Sequence, residues 1–246
     1  MAPVVLPNLR ATSDDVAERV VVVGDPERAE QAAKHLSDGG LVAANREYRL
    51  FTGRYGDAVV SVCSHGVGSA GAAVCFEELM RGGARRIVRA GTCGGLQPEV
   101  QRGSVVVATG AVRADGASAQ MVPLGYPAVA DHALTRALEA AATAGGLSVR
   151  RGVVCTHDLF YPSPAMPPDW GVWLRAGVLA VEMELATLLV LASLHGVAAA
   201  GILVADGNIL DSAGTMVGYD PHHEVVAEAK LRMMTVALDA VVAERA

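Results

Sequence analysis

No two of the four cysteines, Cys63, Cys75, Cys93 and Cys155, form a CxxC pair, and none stands at a Cys/His spacing suited to zinc. A metal site and a disulfide framework are therefore not expected, and the thiols read as buried and free in a reducing compartment. Positive charge is not in excess either: 20 Lys and Arg stand against 26 Asp and Glu, a net charge of −6. That balance argues against nucleic acid or an anionic membrane as the main partner. No apolar run approaches the length of a membrane span. Met1 to Arg10 carries no basic segment ahead of an apolar one, so no signal peptide and a cytoplasmic location are expected. Linkers, repeats and low-complexity segments are also missing. The 246 residues read as a single domain, 1–246, long enough to bury a sizeable core.

What is present is ordinary for a globular protein, 52% apolar and 19% charged. Short β-branched runs alternate with longer Ala-rich stretches. Val20–Val23 reads as a buried strand that ends in Gly24-Asp25-Pro26, with Asp25 as N-cap and Pro26 first in a helix to about Leu36. Strands are predicted at Tyr48–Tyr55 and Ala58–Cys63, joined by Gly56-Asp57. Ser64 to Gly68 leads into a helix to Arg81. Ile87–Arg89 is a strand, followed by a Gly-rich loop, Gly91-Thr92-Cys93-Gly94-Gly95. Further strands are predicted at Val105–Thr109, Gly152–Cys155 and Ala198–Val204. Further helices are predicted at Asp131–Ala144, Met183–Leu194 and His223–Ala243, with a Pro-rich loop at Tyr161–Pro168. The order predicts an α/β domain with a largely parallel or mixed sheet.

Three strand ends carry Gly beside polar groups: Gly24, then Gly66 with Gly68, then Gly91 with Gly94 and Gly95. Ligands of α/β sheets bind beyond the carboxyl ends of strands, where Gly lets backbone N–H groups approach an anion. Arg28 falls in the first turn of a helix, and Arg89 ends a buried strand. A buried Arg requires an anionic ligand or a carboxylate partner, and both readings stand. In Glu182-Met183-Glu184, two acids open an apolar helix. They either complement the helix dipole or accept hydrogen bonds from paired sugar hydroxyls, with Met183 against the sugar face. Asp206, in Val204-Ala205-Asp206-Gly207-Asn208, is either an Asx-turn residue or an acid whose pKa is raised by desolvation. His65 and His157 read as loop or core residues.

Gly24-Asp25-Pro26-x-Arg28, Arg46-Glu47, Arg89-x-Gly91-Thr92-x-Gly94 and Glu182-Met183-Glu184 occur in the order and spacing of one family. The chain resembles the nucleoside phosphorylases, the family of uridine phosphorylase and hexameric purine nucleoside phosphorylase, from about Val16 to Ala240. The segment Val112 to Ser118, with Pro123-Leu124 and Pro127 to Asp131, is similar to the uridine branch.

The resemblance implies an α/β fold of a distorted mixed sheet surrounded by helices, and phosphate-dependent cleavage of a nucleoside to free base and pentose 1-phosphate. It implies that Gly24, Arg28, Arg89 and Thr92 hold phosphate, with Arg46 reaching it from a neighbouring subunit. Glu184, with Glu182 and Met183, would bind the ribose. Gly94, Phe160, Met166 and Asp206 would face the base, with Arg89 and Asp206 as the catalytic residues. It implies no cofactor and no metal, phosphate as co-substrate, and a dimer-based homo-oligomer such as a hexamer.

Two places depart from the pattern. The Gln and Arg that read uracil in the uridine branch fall here on Pro164 and Met166, after Phe160-Tyr161-Pro162. The His that a neighbouring subunit offers to the 5′-hydroxyl falls on Asn8, which leaves room for a 5′-modified nucleoside. A uridine-type substrate is the leading expectation. A purine nucleoside or 5′-methylthioadenosine is the second. A nucleosidase, or a non-catalytic nucleoside-binding protein of the same fold, is the third.

Overall fold

The computed structural model describes residues 2–212 and 219–244. A small antiparallel pair, β1 (Val5–Leu6) and β2 (Ala11–Thr12), precedes β3 (Arg19–Val23), in which Val20, Val21, Val22 and Val23 are fully buried. At its end α1 (Pro26–Ala33) starts as the sequence predicts. The Asp25 carboxylate accepts the Glu27 N–H at 2.8 Å, and Pro26 takes a position that needs no donor. An antiparallel meander follows: β4 (Ser37–Asn45), β5 (Tyr48–Tyr55) and β6 (Ala58–Ser64). Next come α2 (Ser69–Arg81), β7 (Arg86–Gly95), β8 (Val105–Ala114), α3 (Gly116–Met121), β9 (Ala128–Val129) and α4 (His132–Ala144). The chain continues through β10 (Val149–His157), α5 (Trp170–Arg175), β11 (Ala180–Glu182), α6 (Leu185–His195), β12 (Ala198–Asn208), α7 (Ile209–Ser212) and α8 (Glu224–Val242).

Ten strands form one mixed sheet in the order β11-β10-β8-β12-β7-β3-β6-β5-β4, with β9 beside β8. β11 also pairs antiparallel with the end of β7, Ala180 opposite Gly95 and Val181 opposite Gly94. The path β7-β12-β8-β10-β11 therefore closes on itself. β7 belongs to both parts of the sheet. Its first residues pair with β3 as far as Val22 opposite Arg89, and its last pair with β11. β7 leaves β3 at Arg89, beyond the carboxyl ends of β3 and β6, where α/β sheets bind ligands. Helices α2, α3 and α6 pack together, as do α4 and α8, around this sheet.

The structure changes several predicted elements. The Gly-rich stretch Gly91 to Gly95 is strand, not loop. Ring closure explains it: a Cβ on Gly95 would stand 2.0 Å from the Val100 carbonyl oxygen, so only Gly allows β7 to run on. β4 was not anticipated, because six of its nine residues in a row are exposed and no alternation marks it. α1 stops at Ala33, and α6 begins at Leu185 because Glu182 and Glu184 serve its N-terminus.

Candidate functional site

Arg89 sits on β7 between Val22 of β3 and Gly201 of β12 and is only 3% exposed. Its Nη2 forms an ion pair with Glu184 and lies 3.1 Å from Oε2 of Glu182. Its Nε and Nη1 are buried with no hydrogen-bond partner. The carboxylate reading of this residue thus holds, with both acids at Nη2, while Nε and Nη1 remain buried, unmet donors. An unmet buried donor costs about 1–3 kcal/mol, more when charged, so a ligand anion gains by supplying the acceptor. Gly91 makes the arrangement possible, because a Cβ there would fall 1.6 Å from Nη1 of Arg89.

The two acids divide the work. Glu182, 3% exposed, accepts the Thr156 hydroxyl, the Glu184 N–H at 2.9 Å and the Leu185 N–H at 2.9 Å. Burial pushes its pKa up and Arg89 pulls the other way. Every partner at its oxygens is a donor, so it serves as a carboxylate that caps α6 and braces Arg89. Glu184 accepts the Gly68 N–H at 2.6 Å. Burial again pushes the pKa up, but Arg89 and the Gly68 N–H outweigh it, and Glu184 stays below the usual carboxylate range. Gly68 has φ +95°, a backbone shape suited to Gly, and it aims its N–H from the head of α2. Met183, between the acids, is half-buried and lines the cavity described below.

Arg28 enters from the first turn of α1. Burial pushes its guanidinium below its ordinary value, Asp25 acts the other way, and Arg89 adds to the loss. The two guanidinium groups are thus close enough to oppose each other, beside the N-terminus of α1. Gly24 marks the turn into that helix, and Thr92 is half-buried on β7 in register with Val204. His65 is fully buried behind them, edge-on to Phe76 at 5.1 Å. Burial lowers its pKa to about 4, so it is neutral, and neither ring nitrogen makes a well-formed hydrogen bond.

Beyond Glu182 and Met183 opens a cavity of about 350 Å³, lined by Gly94, His157, Phe160, Asp206 and Tyr219 among others. Asp206 is 7% exposed at the end of β12. Burial raises its pKa, against the Tyr219 hydroxyl, which donates to Oδ2 at 3.1 Å. Phe160 stands 5.8 Å from Tyr219, ring edge to face. His157, read from sequence as a loop or core residue, is half-buried on the cavity wall against Trp170 at 5.3 Å. Tyr219 and Trp170 were missed altogether, since no motif marks them.

Three expected site residues are not gathered here. Met166 is 82% exposed and is not among the residues lining the cavity, because the Pro-rich stretch carries it outward. Asn8 donates its side-chain amide to Glu78 at 2.7 Å, and its carbonyl accepts from Asn45 at 2.8 Å. Arg46 follows Asn45 at the tip of the β4–β5 hairpin, exposed, with φ +54°. Asn8 thus lies beside the hairpin tip that carries Arg46. Arg113, in the segment similar to the uridine branch, spends its guanidinium on the carbonyls of Pro123, Val122 and Tyr126. That likeness concerns a loop brace and not the base. Among the described residues no His/Cys/Asp/Glu cluster suits a metal, and no helix is long and apolar enough to cross a membrane.

Comparison with known proteins gives the same picture. Residues 18–243 match the model of the phosphorylase superfamily. A guanosine phosphorylase of Halorubrum lacusprofundi is 37% identical over 241 residues, 96% of this chain and 98% of that one. A uridine phosphorylase of Treponema pallidum is 40% identical, with 80% of each chain covered. The crystal structure of purine nucleoside phosphorylase from Toxoplasma gondii in complex with immucillin-H superposes with a TM-score of 0.92 at 34% identity, covering 98% of this chain and 97% of that one.

Proposed function

The chain belongs to the phosphorylase superfamily as a nucleoside phosphorylase, and from that premise we propose that its substrate is a purine nucleoside cleaved by phosphate. The observation that carries this is Asp206, a buried carboxyl of raised pKa on the wall of the cavity next to Glu182 and Met183. A departing purine accumulates negative charge that a proton on its five-membered ring relieves, and a carboxylic acid supplies that proton. A departing uracil instead needs donors at its carbonyl oxygens, and the two places that would supply them are Pro164 and Met166. The uridine-type expectation is kept as the second reading, since a uridine phosphorylase is among the relatives.

In this reading phosphate lies against the open edge of Arg89, with Arg28, the Gly24 N–H and Thr92 around it. Glu184 turns to the ribose hydroxyls, Met183 packs on the sugar, and Phe160 with Gly94 flanks the base. Bond cleavage leaves positive charge at C1′. The phosphate beneath stabilises that charge, then bonds to C1′, so catalysis rests on positioning and fixed charge. No cofactor takes part. Arg46 and Asn8 complete the phosphate and 5′ ends of a neighbouring copy's site, which makes a dimer the smallest active unit of the homo-oligomer. The four free, buried cysteines suit a reducing cytoplasm.

The test is turnover of inosine, guanosine, adenosine, uridine and thymidine, each with and without phosphate, with the sugar product identified. Purine preference in kcat/KM and pentose 1-phosphate as product are expected. Preference for uridine overturns the base assignment, and free pentose formed at equal rate without phosphate overturns phosphorolysis.

A further inference from the structure

Among the described residues, Tyr219 is the neutral partner that makes a side-chain hydrogen bond to Asp206. Its hydroxyl donates to Oδ2 at 3.1 Å, and its ring stands 3.7 Å from the position a Cβ on Gly207 would take. The segment that carries it is pinned to the head of α8: Lys230 donates to the Pro221 carbonyl at 2.8 Å, and Asp220 accepts the His222 N–H at 2.9 Å. Phe160 closes the other side. The phenol is thus held on one carboxyl oxygen of Asp206, on the wall of the cavity.

We propose that Tyr219 is a positioning residue for the acid: it fixes Oδ1 as the oxygen that carries the proton and stabilises the carboxylate that remains after transfer. The inference rests on the reading of Asp206 as the acid. A protonated carboxyl carries its hydrogen on either oxygen. With Oδ2 accepting from Tyr219, the proton resides on Oδ1 and faces the base. The C1′–N bond breaks with its electron pair on the base, and Oδ1 gives its proton to the ring nitrogen. Hydrogen phosphate loses one proton as its oxygen bonds to C1′, and through solvent that proton restores the carboxyl. During transfer the bond from Tyr219 becomes one to an anion and strengthens, so it favours the transition state over the ground state. The other charged or titratable groups facing Asp206 are Arg28 of α1, Lys230 of α8 and Cys93 of β7. Tyr161 faces Tyr219, and Asp25 faces Lys230. None of these donates to Oδ2.

The experiment compares Tyr219→Phe and Asp206→Asn with the parent chain on inosine and on 7-methylinosine, whose base departs without an added proton. For Tyr219→Phe the ratio of kcat/KM on inosine to that on 7-methylinosine is expected to fall about tenfold, the scale of one hydrogen bond to a charged group. The alkaline limb of its inosine pH profile is expected at higher pH, because the lost bond favoured the carboxylate. An unchanged ratio with an unmoved limb overturns the inference, whether activity falls equally on both substrates or on neither. If Asp206→Asn keeps full inosine turnover, the assignment of the acid fails and this inference with it. If Asp206→Asn loses inosine turnover while Tyr219→Phe keeps the parent ratio and profile, this inference alone fails.

Discussion

Oε2 of Glu182 stands 3.1 Å from Nη2 of Arg89, with both side chains shut away from solvent. The pair joins the head of α6 to the point where β7 leaves β3, so one contact ties the proposed sugar end of the site to the proposed phosphate end. Removing Glu182 leaves Arg89 with Glu184 alone and strips the acceptor from the Thr156 hydroxyl and the Glu184 and Leu185 N–H groups, and each buried donor left unmet costs about 1–3 kcal/mol. Glu182→Ala is therefore expected to lose stability on that scale in denaturant unfolding. Glu184→Gln keeps an acceptor for the Gly68 N–H. It is expected to be less destabilising and to act mainly by raising KM for the nucleoside. Equal destabilisation by the two substitutions would contradict this division.

Gly91→Ala tests the open edge of Arg89 without touching a charge. The added methyl would fall 1.6 Å from Nη1 and 2.7 Å from Cζ, so the guanidinium must move. KM for phosphate is expected to rise about ten- to a hundredfold, the loss of one charged hydrogen bond, while the circular dichroism spectrum stays that of the parent. Unchanged phosphate dependence would place the anion elsewhere.

His65 gives the fold a dependence on acid. Its folded pKa of about 4 lies below the ordinary 6.5. Between those values the unfolded chain binds a proton that the folded chain refuses. Stability is fully present above pH 6.5, falls as pH drops toward 4, and levels off below, by up to about 3 kcal/mol from this group. Unfolding free energy measured across that window should show the slope, and His65→Gln should flatten it. A variant with the same slope would assign the dependence to the carboxylates.

Arg46 sits on an exposed hairpin tip, and the proposed function has it reach the phosphate of a neighbouring copy. Arg46→Ala and Arg89→Ala subunits, each inactive alone, are expected to recover about a quarter of parental activity after random remixing into dimers, since half the dimers are mixed and each holds one intact site. Absence of recovery in purified mixed dimers would show that each chain completes its own site.

The sequence by itself determined several local elements and singled out Arg89. Asp25-Pro26 marks a helix start because a capping carboxylate and a residue without N–H satisfy the same unpaired turn. Val20–Val23 marks a buried strand because a continuous β-branched run has no solvent face. Arg89 stood out because an Arg in such a run needs an anionic ligand or a carboxylate partner, and the structure shows Glu182 and Glu184. Tertiary structure decided the rest. Gly91 to Gly95 reads as loop by propensity and is strand because β11 and β12 pair with it from either side. β4 exists because β5 offers an edge, although its own residues carry no pattern. Asp206 became a buried acid, and Met166 a surface residue, only once the ring of strands and the Pro-rich stretch were set in space. Tyr219 met Asp206 across 13 residues. No local rule reaches that far, because hydrogen bonds between loops depend on where packing brings the chain and not on what stands next in it.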